Sequence, residues 1–213
     1  MYKTYFKYIQ DPISSYTHFL GAVISFFICL LWILFGYIQH TPLITMISIL
    51  AFGIALIALY SASSFYHTLA LTHKRHTLYR KLDHSMIYIL IVGSYTPFIM
   101  MYNSDAIIAV IVMWLLAFLG IIIKVFWLQA PRWLYTSLYI LLGWSIVFMP
   151  SMFVNMPLGC IVLLALGGIA YTLGGIIYIV KKPNLKWNFH DIFHIFILVG
   201  SFFHILAVTF FIL

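Results

Sequence analysis

His190 and His194 stand four residues apart in a strongly apolar chain. On a helix that spacing puts both imidazoles on one face, about 6 Å apart along the axis. One helix then offers two nitrogens to a single metal ion, and His67, at the end of a different apolar run, offers a third. Three histidines with one position left for water make the ligand set of a catalytic zinc. Asp83 is the natural partner of that water, as hydrogen-bond acceptor or general base. Ser63 lies one turn from His67 on the same face, where it orients that ring or meets a substrate oxygen. A bis-histidine haem is the rival for paired imidazoles. Haem leaves Asp83 and Ser63 without a role, so zinc is favoured, with iron and manganese as alternatives.

The elements that must position these groups are set by composition. Of 213 residues, 65% are hydrophobic and only 7% charged, against about 25% charged in an ordinary soluble domain. That excludes a water-soluble globule, and disorder fails for the opposite reason. Two cysteines, Cys29 and Cys160, each inside an apolar run, exclude a disulfide scaffold. The class is a polytopic membrane protein whose partners are membrane lipids.

Seven stretches reach the roughly 20 apolar residues that a crossing helix needs: Ile13–Ile38, Leu43–Leu69, Leu82–Tyr102, Ala106–Leu128, Arg132–Met149, Leu158–Val180 and Phe189–Leu213. The breakers between them are short: His40 to Pro42, Asn103 to Asp105, Pro131, Pro150 to Pro157, and Pro183-Asn184. None holds a second domain, and none of the stretches alternates as barrel strands do. The expected fold is all-α, one integral membrane bundle of seven transmembrane helices over residues 1–213. The first stretch is too long for the apolar core of a signal peptide and is kept as a helix.

Basic residues fix the expected orientation. Lys3 and Lys7 precede the first stretch. Lys74, Arg75, Arg80 and Lys81 separate the second from the third. Lys124 and Arg132 flank the fourth-to-fifth junction, and Lys181, Lys182 and Lys186 the sixth-to-seventh. All eleven fall on one side, giving a cytoplasmic N-terminus and, with seven crossings, an outside C-terminus. Scattered over four short segments, they do not make a nucleic-acid surface.

Polar residues inside spans are costly and default to functional candidates. His18 lies near the cytoplasmic start of the first helix, Ser63 and His67 at the cytoplasmic end of the second. Asp83 opens the third, and His190, Asp191 and His194 open the last. Topology alone brings them to one depth. His18, His84 and Asp191 are placed as supporting residues near the metal. His204, about 15 Å deeper than His194, is too far to share an ion and is expected to bond a neighbouring helix, with Ser201 one turn earlier. His73 and His76 are assigned to a solvated loop and His40 to an outer turn. Trp133, Tyr135 and Trp187 read as interface anchors. Pro97 predicts a kink, and Gly167, Gly168, Gly174 and Gly175 a close helix contact.

The motifs S-S-F-Y-H at Ser63 to His67, K-L-D at Lys81 to Asp83, G-S-Y-T-P at Gly93 to Pro97 and H-D-I-F-H at His190 to His194 together resemble the hemolysin III family, the bacterial branch of the progestin and adiponectin receptor (PAQR) group. The resemblance covers nearly the whole chain. It implies zinc held by His67, His190 and His194, with Asp83 contacting it through water and Ser63 as the motif serine. Many family members carry an acidic residue and an Asn shortly before the first-helix histidine. Here the segment reads D-P-I-S-S-Y-T-H over Asp11 to His18, with Ser14 and Ser15 in those places, so His18 is expected at the interface rather than as a ligand. The related receptors and the alkaline ceramidases, which share the pattern, imply a zinc-dependent lipid amide or ester hydrolase in the bacterial plasma membrane. The competing readings are a non-catalytic regulator of membrane lipid state with structural zinc, and a pore-forming hemolysin.

Overall fold

The computed structural model describes residues 9–69, 73–103, 105–183 and 187–213. Lys3, Lys7, Ser104, Asn184 and Lys186 lie outside these residues. Among the described residues eight α-helices follow in order: α1 (Pro12–Ile38), α2 (Leu43–Thr68), α3 (His73–Tyr102), α4 (Ala106–Phe126), α5 (Arg132–Trp144), α6 (Pro150–Val154), α7 (Leu158–Val180) and α8 (Phe189–Phe211). Proline sets where five of them begin: Pro12 and Pro150 occupy the first helical turn of α1 and α6, and Pro42, Pro131 and Pro157 precede α2, α5 and α7. A ring without an N–H costs nothing there, because the first four amides of a helix have no intrahelical acceptor.

Six helices, α1 to α4, α7 and α8, are long and apolar enough to cross a membrane. α3 is the most buried of these and α4 the least, so α3 forms the middle of the bundle and α4 an outer wall. α1 packs on α2 and α8, and α7 packs on α5 and α8. The core between them is built from large side chains such as Trp32, Phe52, Leu56, Tyr60 and Phe98.

The fifth expected span differs from the sequence reading. α5 stops after 13 residues, about 20 Å of rise, and continues as a 3-10 turn over Ser145–Phe148. The cause is local competition for carbonyls. Tyr95 bonds the Gly143 carbonyl and Ser145 folds back onto the Leu142 carbonyl, while Pro150 has no N–H for the next turn. The segment still runs the length of the bundle. Arg132 bonds the Tyr178 carbonyl where α7 ends, and Asn155 lies beside Asn103 where α3 ends.

α3 also departs from expectation, beginning at His73 rather than Leu82. The segment of His73 and His76 is therefore helical, not loop. Arg, Lys, Leu and Tyr between His73 and Asp83 include no Gly or Pro, so nothing stops the helix extending past the apolar stretch. Pro97 is accommodated inside it.

The four glycines of α7 divide between two neighbouring helices. A Cβ on Gly167 would stand 2.3 Å from the His204 ring and one on Gly174 2.9 Å from Phe196, both on α8. Gly175 faces Ile140 of α5, at 3.0 Å. Gly168 meets only Trp144, at 3.8 Å, and so borders open space. His204 donates from Nε2 to the Leu164 carbonyl of α7 at 3.4 Å, the interhelical bond expected of it. Ser201 instead joins the hydroxyls of Tyr60 and Tyr171, at 2.6 and 2.8 Å.

Candidate metal centre

The start of α1, the end of α2 and the starts of α3 and α8 meet at one end of the bundle. His67, His190 and His194 converge there, with their ligand nitrogens all within 4.8 Å of one another. Nε2 of His190 lies 3.3 Å from Nε2 of His67 and 3.1 Å from Nε2 of His194. Nitrogens held about 2.0–2.1 Å from a common tetrahedral centre sit about 3.3 Å apart, which two of the three separations match, so the cluster could hold a metal ion. Iron and manganese accept the same donor set.

The orientation of His67 is fixed by a residue that the sequence reading did not single out. Its Nδ1 donates to Asp11 Oδ2 at 2.8 Å, and the Asp11 amide bonds the His67 carbonyl at 3.0 Å. This is the carboxylate–histidine arrangement that sets the tautomer and leaves Nε2 free for a metal. The hydrogen bond from His67 holds the Asp11 carboxyl below its ordinary value, outweighing partial burial. Replacing Asp11 by Asn is expected to weaken metal binding at the cluster by about 10–100-fold, read by competition against a calibrated chelator. Unchanged affinity would mean that Asp11 only pins the chain.

Asp191 and Ser14 provide a second tie. Asp191 Oδ1 accepts from the Ser14 hydroxyl at 2.7 Å, and its Oδ2 accepts from the Asn188 amide at 3.3 Å. Asn188 Oδ1 in turn accepts from the amides of His190 and Asp191, closing a capping box at the first turn of α8. Asp191 thus anchors the helix that carries two of the three histidines, and clips it to α1. Three of the chain's four acidic residues, Asp11, Asp83 and Asp191, lie at this end.

Asp83 and Ser63 line a cavity of about 290 Å³ together with His18, His84, His190 and His194. Ser63 and Asp83 share the wall of this cavity. Asp83 does not join the tight cluster of three histidines, a placement that suits contact through water. His18 stacks on His194, with ring centroids 4.0 Å apart and planes at 29°. It supports the cluster as packing and contributes no nitrogen to it. His84 turns edge-on to Tyr135 at 5.4 Å and is not one of the three clustered histidines.

From this polar end the cavity continues between α3, α5, α7 and α8 along an apolar wall that includes Leu90, Ile140, Ile146, Phe153 and Leu164. Gly143 and Gly168 keep it open: a Cβ on Gly143 would meet only the Tyr95 hydroxyl, at 3.9 Å. One expectation changes here. Tyr135 is 5% exposed and lines the cavity rather than anchoring at an interface, whereas Trp133 and Trp187 are exposed. Lys124, read as flanking the fourth-to-fifth junction, is buried in the last turn of α4.

The family model for haemolysin-III-related proteins matches residues 6–205. The chain belongs to this family. It is 31% identical over 196 residues to a hemolysin-3 homolog of Bacillus subtilis (strain 168), covering 90% of this chain and 89% of that one. It is 30% identical over 211 residues to hemolysin-3 of Bacillus cereus, covering 97% and 94%. With six apolar crossing helices among the described residues, this haemolysin-III-related chain is an integral membrane protein in which buried His67 and His194 and half-buried His190 could hold a metal.

Proposed function

We propose that the protein is a zinc-dependent hydrolase of long-chain lipid amides or esters. The observation that carries this reading is the cavity, with His190, His194, Asp83 and Ser63 at its polar end, where His67 joins the two histidines, and an apolar channel leading away from them. Zinc, when bound, would lower the pKa of a water toward about 7 and polarise a carbonyl. Asp83 accepts the proton of the attacking water. The apolar wall takes the acyl chain and excludes bulk water from the reacting end. His67, held by Asp11, and His190 and His194, held by the Asp191 cap, keep their rings in register.

In the same reading the broken fifth segment completes seven crossings. The N-terminus is then cytoplasmic, the C-terminus outside, and the cluster just inside the cytoplasmic face of a bacterial plasma membrane. The positions of the basic residues support this orientation. The oppositely typed reading, a zinc clasp in a non-catalytic regulator of lipid state, draws on the same cluster, since its ligands join α2 to α8. The names of the Bacillus relatives suggest red-cell lysis. A conducting pore wants a continuous polar lining, and the long wall of this cavity is apolar.

The test is release of free fatty acid by purified, zinc-loaded protein presented with N-acyl amides and acyl esters in mixed micelles. Turnover of one class, lost on chelation and restored by zinc, is expected. Fully metallated protein that turns over none of them favours the clasp.

A further inference from the structure

Tyr135 on α5 and Tyr178 on α7 both line the cavity, and they are only 5% and 7% exposed. Their hydroxyl oxygens are 3.1 Å apart. Each hydroxyl has one proton to donate. One of the two donates to the other, so the accepting tyrosine keeps an O–H with no acceptor among the described residues. A buried donor left this way is costly unless something enters to accept from it.

Each ring also carries a cation on its face. Lys124 Nζ lies 3.4 Å from the Tyr135 centroid, and Arg132 Cζ lies 4.5 Å from the Tyr178 centroid. Lys124 is 1% exposed, and its bond to the Leu128 carbonyl is long, at 3.5 Å. A cation over a phenol ring draws density from the π system and makes the hydroxyl a stronger donor, above all toward a negative oxygen. The Tyr178 ring stands 5.6 Å from that of His190, so the donor pair borders the histidine cluster. Lys124 and Arg132 thus place two cations against the rings of the hydroxyl pair.

We propose that the Tyr135–Tyr178 hydroxyl pair, backed by Lys124 and Arg132, is an anion-receiving site that makes the cavity select the carboxylate end of a long-chain acid. The inference rests on the lipid reading of the cavity given above and adds the residues that recognise the polar end. In the hydrolase it places the donors where the acid product, or the substrate carbonyl oxygen as it gains charge, is held.

The test is titration calorimetry of purified protein with palmitate and with 1-hexadecanol, a neutral chain of the same length that no hydrolase cleaves. Palmitate is expected to bind more tightly, by about tenfold or more. Tyr135→Phe and Tyr178→Phe are each expected to lower palmitate affinity about tenfold while leaving hexadecanol within about twofold. Lys124→Met, which keeps both hydroxyls, is expected to weaken palmitate in the same direction and serves if a tyrosine variant melts early. The same set is run after chelation, so that a metal–carboxylate contact does not stand in for the tyrosines. A preference for palmitate that vanishes on chelation and is unmoved by all three variants overturns the proposal. Equal affinity for the two chains overturns it and leaves the lipid cavity standing. Binding of neither chain overturns both.

Discussion

Alanine at His194 is expected to take the purified protein from about one zinc per chain to almost none, and to lower its melting temperature. His194 is 2% exposed, and its Nε2 lies 3.1 Å from that of His190. Removing it leaves two imidazoles, one on each of two helices, where three had closed the site. A ligand that binds only the folded state stabilises it by RT ln(1 + [L]/Kd), about 4 kcal/mol at a thousandfold excess over Kd. The variant loses that increment together with the packing of the His18 ring, which stacks on His194. The two losses separate experimentally. Added zinc raises the melting temperature of the chelated parent and does not move that of the variant. A variant that regains stability with zinc as the parent does would show that the ion sits elsewhere. His67→Ala and His190→Ala are expected to behave alike with respect to metal content.

Asp83→Asn is expected to separate binding from chemistry. The substitution keeps the shape of the side chain and removes the negative charge that receives a proton. General-base catalysis contributes about 10²–10⁴-fold, and a loss of that size in lipid hydrolysis is expected with zinc content unchanged. Metal retention follows because Asp83 stands outside the tight group of ligand nitrogens. The measurement is turnover and zinc content on the same preparation. Undiminished hydrolysis would remove Asp83 from the mechanism, and simultaneous loss of zinc would make it a metal-holding residue instead.

The parts of this site legible in the sequence are those where a polar residue interrupts an apolar run. His67, Asp83, His190 and His194 stand out because a membrane span tolerates few such groups, and counting helices brings them to one level. Asp11 was not legible. It precedes the first apolar stretch, where a carboxylate is unremarkable, and only folding carries it to His67. Lys124 was legible as a topological marker but not as a buried cation, since the same charge serves either purpose until the neighbouring ring of Tyr135 is placed. The break in the fifth span depends on which carbonyls Tyr95 and Ser145 occupy. The sequence of Arg132 to Met149 is apolar enough to read as continuous, and that contest lies between helices. Conversely, the extension of α3 back to His73 was obscured by reading charge as loop, although charged residues are good helix formers.

The close approach of His67 and His190 joins residues 123 apart in sequence, and the hydrogen bond between Ser14 and Asp191 joins residues 177 apart. Synthesis runs from the N-terminus, so for most of translation the membrane holds a partial bundle with one of the three imidazoles and its waiting carboxylate. Only when the last helix enters do the other two arrive, together with the clip to the first helix. Closure of the three-histidine cluster is therefore the last step of assembly. A chain truncated or stalled before residue 190 lacks two of its three imidazoles and the clip between first and last helices.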